Sequence, residues 1–159
     1  LQLKLKTLPE IEQLNAIATR IAAGQENLKS AELELGDVQV ELKRSEIEVE
    51  QVSERIKKDE NRLNSGQGSP KELEQMQHEL GTLAKRKAEL EDGELEIMIR
   101  LDNAKAKVET LKSDEAGLKQ LEVELKTRYS ESAKEIEEEI SLSQGKRNEQ
   151  VPQIGRAHV

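Results

Sequence analysis

Two histidines, one glycine pair and one acidic run are the features of this chain that could do chemistry. His78, within Gln77-His78-Glu79, could ligate a metal, but a helical metal pair needs a second ligand four residues on and none stands there; His158 has none either. Gly66-Gln67-Gly68 could cradle a phosphate, yet it lacks the following lysine and the preceding strand of a phosphate loop. The run Glu135-Ile136-Glu137-Glu138-Glu139 could hold a cation only with converging oxygens from elsewhere, and reads as a solvated helix face. There is no cysteine, so thiol nucleophiles and disulfides are excluded. Carboxylates along the helices are surface charge rather than a pocket. The expectation is a protein that is not an enzyme, with no catalytic or metal residues in this chain.

The elements that carry these residues are set by a period of seven. Leu14, Ile21, Leu28, Leu35, Leu42, Val49, Ile56 and Leu63 recur at that interval before the stretch Ser65-Gly66-Gln67-Gly68-Ser69-Pro70. Met76, Leu83, Leu90, Ile97, Ala104, Leu111, Leu118 and Leu125 recur after it. Two heptad-patterned helices joined by a short turn predict an all-α fold, a long antiparallel coiled-coil hairpin.

The turn reads residue by residue. Gly66 stands where the first helix needs positive φ to end, and glycine adopts it without a Cβ penalty. Gly68 precedes Ser69-Pro70-Lys71-Glu72, a complete capping box in which Ser69 and Glu72 satisfy each other's backbone amides. Pro70 falls at the first helical position, where its missing N–H costs nothing.

Composition agrees. Charged residues make up 36% and hydrophobic residues 34% of the chain, and Tyr129 is its one aromatic. That balance fits a narrow apolar seam with two wet flanks, not a compact core. Unbroken heptads argue against disorder. The net charge of −8 argues mildly against wrapping nucleic acid. No apolar run exceeds three residues, as in Ile97-Met98-Ile99, too short to span a membrane, and no signal peptide is expected. A cytoplasmic location is compatible with this.

In order, residues 1–8 read as the end of a preceding helix, with a kink at Pro9. The first arm runs over 9–64, about 85 Å at 1.5 Å per residue, the turn over 65–69, and the second arm over 70–150, about 120 Å. Residues 151–159 form an unpatterned tail, read as an appended remnant, with Pro152 stopping the helix. Taking Leu14 as position a, the d row is Ile17, Gly24, Ala31, Val38, Ser45, Val52 and Asp59, an uneven seam beside a nearly ideal a row. Folding about the turn sets Val38 near Met98 and Ile17 near Leu118. It leaves 127–150 without a partner in the first arm, and the shift of apolar positions after Leu125 reads as a stutter. A further row, Leu33, Val40 and Ile47, repeats by seven on the side away from the seam. It is either scattered surface aliphatics or a contact face for a partner or second hairpin.

The segment Leu63 to Met98 resembles the bacterial C4-type zinc-ribbon, coiled-coil protein family. The matching blocks are Lys71-Glu72-Leu73, Met76-Gln77-His78-Glu79-Leu80, Leu90-Glu91-Asp92 and Leu95-Glu96-Ile97-Met98, within a segment of 36 of the 159 residues, and the pattern is compatible over nearly all of the chain. The resemblance implies a helical hairpin followed by a small domain in which two Cys-x-x-Cys pairs hold zinc, a candidate nucleic-acid-binding module. It also implies an adaptor role, some members binding an alternative sigma factor or secretion and flagellar components. This chain contains no cysteine, so zinc and any nucleic-acid contact are expected only in a C-terminal domain outside it.

The expected function is therefore a non-enzymatic adaptor whose partner is a protein, such as a transcription or secretion component. Gln77, His78 and Glu79 beside the turn are the candidate partner-facing tip. The alternative is a structural coiled coil that self-assembles, as in a homodimer, with Leu33, Val40 and Ile47 and the unpaired residues 127–150 as its contacts. A weaker third reading is the arm of an enzyme whose catalysis lies elsewhere.

Overall fold

The computed structural model of the chain describes residues 9–157, with side-chain surroundings for 9–148. Two helices account for almost all of it: α1, Pro9–Asn64, and α2, Pro70–Ala157. Pro9 opens α1 with Glu10 and Glu12 in its first turn, and Arg62 lies in its last, the charge order that complements a helix dipole. The expected kink before Pro9 and the character of 1–8 lie outside the described residues. α2 continues through Pro152 to Ala157, beyond the stop expected there. A proline within a helix removes one backbone hydrogen bond, which weakens the helix without necessarily ending it.

The helices pair antiparallel in two units. In the unit Leu28–Thr110, four seam rows interlock. Leu28, Leu35, Leu42, Val49, Ile56 and Leu63 are half-buried, as are Met76, Leu83, Leu90 and Ile97. The row expected to be uneven is the deepest: Ala31 is 1%, Val38 4% and Asp59 7% exposed. A short side chain keeps its backbone close to the partner helix, so the longer residues around it cover it fully.

The register differs from a fold-back about the turn. Val38 shares a hollow with Arg100, Asn103 and Ala104, while Met98 stays 44% exposed. Glu41 Oε2 meets Arg100 Nη1 at 2.7 Å, and Glu34 Oε2 meets Lys107 Nζ at 3.5 Å. Antiparallel coiled coils mesh knobs into holes, and that mesh fixes the register; the turn adapts to it.

In the unit Leu1–Asn27 with Leu111–Val159, Ile17, Leu125 and Ile136 are buried. Ile17 lines one hollow with Leu121 and Leu125, further along α2 than the Leu118 of a simple fold-back. Pairing does not run out near Lys126: the Ser132 hydroxyl reaches the Glu10 carboxylate at 3.5 Å, and Tyr129, Ala133 and Ile140 are half-buried. Past Leu125 the buried and half-buried apolar positions are Tyr129, Ala133, Ile136 and Ile140, while Glu139 is exposed. The step of four from Tyr129 to Ala133, where a heptad would step three, is the stutter expected there.

Candidate functional site

The turn end of unit Leu28–Thr110 is built by backbone hydrogen bonding. The amide of Ser65 donates to the Asn61 carbonyl and that of Gly66 to the Leu63 carbonyl, both at 3.1 Å. The Ser65 hydroxyl donates to the Arg62 carbonyl at 2.6 Å. These bonds take up carbonyls that a helix end leaves free. Gly66 at φ 68 then turns the chain, in open space.

Ser69 and Glu72 form a reciprocal cap. The Glu72 amide donates to the Ser69 hydroxyl at 3.2 Å, and the Ser69 amide donates to Glu72 Oε2 at 3.3 Å. Pro70 opens α2 directly behind it. Gly68 has a second reason to be glycine. Its φ is 126, and a Cβ there would stand 2.9 Å from Glu72 Oε2, against the carboxylate that closes the cap.

The cap sets the phase of the first turns of α2. Leu73, Met76 and Leu80 are half-buried towards α1, and Gln77, His78 and Glu79 are all exposed. No ion pair engages these three among the described residues, and the His78 carbonyl accepts from the Thr82 hydroxyl at 3.3 Å. The stretch is a polar, uncommitted surface on a fixed helix. Among the described residues no group of three or more His, Cys, Asp or Glu is arranged to hold a metal ion. None of their helices is long and apolar enough to cross a membrane.

The row Leu33, Val40 and Ile47 is exposed, at 66%, 60% and 47%. The sequence reading missed a second apolar patch on α2, where Leu95, Met98 and Ile99 are exposed too. The signal was in the run Ile97-Met98-Ile99. Consecutive helical residues fan out by 100°, so if Ile97 meets the seam its neighbours cannot.

The other unit contains a polar layer. Gly24 of α1 and Glu115 of α2 line one open hollow, with Arg20, Asn27 and Gly117 nearby. The Glu115 side chain is 16% exposed and bonds Lys119 Nζ at 2.8 Å. The hydrogen bond from Lys119 holds the Glu115 carboxyl below the usual carboxylate range; the Lys119 charge and a bond from Gln25 assist, while burial opposes. The same hydrogen bond raises Lys119.

Two capped helices, an interlocked heptad seam and a glycine turn define a coiled-coil hairpin. The match to known families gives the same class: the model for the CT398-like coiled coil hairpin domain covers residues 1–157, and the chain belongs to that family. No curated protein and no solved structure matches it.

Proposed function

We propose that the chain is a non-enzymatic adaptor that offers the turn end of unit Leu28–Thr110 to a protein partner. The supporting observation is the tip itself. Gln77, His78 and Glu79 are exposed and unpaired on a helix start whose phase the Ser69–Glu72 cap fixes. A partner then meets a preorganised polar surface and spends little ordering it. The chain has no cysteine and supplies no ligands for a zinc ribbon. A ribbon, and with it any nucleic-acid contact, is assigned to a domain C-terminal to residue 159. Transcription or secretion components, in a cytoplasmic setting, are the partner classes that fit the family resemblance.

The test replaces Gln77, His78 and Glu79 together with alanine. Helicity by circular dichroism stays unchanged, because alanine is the best helix former. Binding of an alternative sigma factor, measured by titration with purified protein, is lost. Unchanged binding of that factor by the triple variant would contradict the tip assignment.

A further inference from the structure

We propose that Leu33, Val40 and Ile47 form the contact face of a symmetric antiparallel dimer with a second copy of this chain, centred on Val40. This goes beyond the adaptor reading and does not depend on it. The row lies wholly on α1 within unit Leu28–Thr110 and is exposed along its length. A two-fold axis at Val40 places Val40 against the other copy's Val40, and Leu33 against its Ile47. Each contact then occurs twice, as an isologous interface requires.

The flanking charges select this occupant. On one side of the row stand Asp37 and Arg44; on the other stand Lys29 and Glu50. Reversing the chain direction about Val40 brings Asp37 beside the other copy's Arg44, and Lys29 beside its Glu50. Flank residues pair like with like across an antiparallel seam, so each pair forms twice. All these residues are exposed, and none takes part in an ion pair among the described residues. A parallel arrangement would instead set the Asp37 and Arg44 flank against the other copy's opposite flank, which carries Lys29, Lys43 and Glu50. The Asp37–Arg44 and Lys29–Glu50 pairs fix the register of the antiparallel arrangement.

The next members of the row, Glu26 and Glu54, are acidic, which confines the contact to Leu33–Ile47. A patch so short buries less than the roughly 1,600 Å² of a standard stable interface. The dimer is accordingly weak and concentration-dependent.

The absence of cysteine makes single-cysteine variants clean probes. Under mild oxidation, Val40→Cys forms a disulfide-linked dimer well above an exposed control, Gln39→Cys. Leu33→Cys and Ile47→Cys each stay monomeric alone and link when mixed. In sedimentation equilibrium, Val40→Glu weakens association by at least about tenfold, a loss of about 1.4 kcal/mol. Asp37→Arg weakens it as well, and adding Arg44→Asp restores it. Circular dichroism reports that each variant remains helical. Three results would overturn the proposal: Val40→Cys linking no better than the control, Leu33→Cys linking to itself, or Val40→Cys linking preferentially to Ile99→Cys.

Discussion

Arg100 Nη1 stands 2.7 Å from Glu41 Oε2 across the seam. With Lys107 and Glu34 it marks the register of unit Leu28–Thr110. Both side chains of the first pair are about half exposed, 54% and 46%, so water screens much of their attraction. A double-mutant cycle on Glu41→Ala and Arg100→Ala, followed by urea unfolding, yields a coupling of about 0.2–1 kcal/mol. The same cycle on Glu41 and Leu95, which a fold-back about the turn would set opposite each other, yields none.

Gly68→Ala destabilises the hairpin by about 1–3 kcal/mol, through strain at positive φ and displacement of the Glu72 carboxylate. Gly66→Asn costs only a few tenths of a kcal/mol, because asparagine tolerates the left-handed region and the space is open. Thermal denaturation of the two variants separates them.

The fold was legible because leucine, isoleucine and valine recur by seven on both sides of a turn whose chemistry is local. Gly66, Ser69 and Glu72 act on neighbours in sequence, so their roles can be read without tertiary structure. The register could not be read that way. It is marked by Glu41 on Arg100 and Glu34 on Lys107, contacts between distant segments. Lys87, Glu94, Glu115 and Glu122 read as polar intrusions on a further seam row of α2, and all four are half-buried there. The stutter past Leu125 could be read because Tyr129, Ala133, Ile136 and Ile140 carry the seam by their apolar spacing alone. The exposure of Gln77, His78 and Glu79 follows from their place beside the cap, which is local in sequence.

Asp59 is the buried charge of the seam, 7% exposed, with Arg55 Nε 3.8 Å from its carboxylate. A polar residue at such a position lowers stability and restricts alternative pairings. Asp59→Leu raises stability by about 1–3 kcal/mol in urea unfolding. It also increases the fraction of chains that exchange arms, seen as a slower-sedimenting monomer giving way to dimer.

Glu115 gives the other unit an acid limb. A carboxyl held below its ordinary range when folded adds stability that is full above its unfolded value and fades as pH falls through the folded one. Lys119, raised when folded, adds stability that is full below its unfolded value and fades as pH rises through the folded one. Glu115→Gln therefore reduces the loss of stability between pH 7 and about pH 3, where carboxylates titrate. The urea midpoint at each pH reads the difference.

Gly24 faces open space where a Cβ would project. Gly24→Ala raises stability by about 1 kcal/mol, the helical cost of an interior glycine. Thermal unfolding checks it.

The account depends on α1 and α2 closing on each other within one chain. Spin labels on Glu34→Cys and Lys107→Cys, residues joined at 3.5 Å in the native chain, test it most directly. Paired helix axes lie about 10 Å apart, so dipolar coupling is strong. The account predicts that this short distance survives when labelled protein is unfolded and refolded with a large excess of unlabelled chain. Loss of the coupling on that dilution would mean that the seam forms between chains, and would contradict the hairpin.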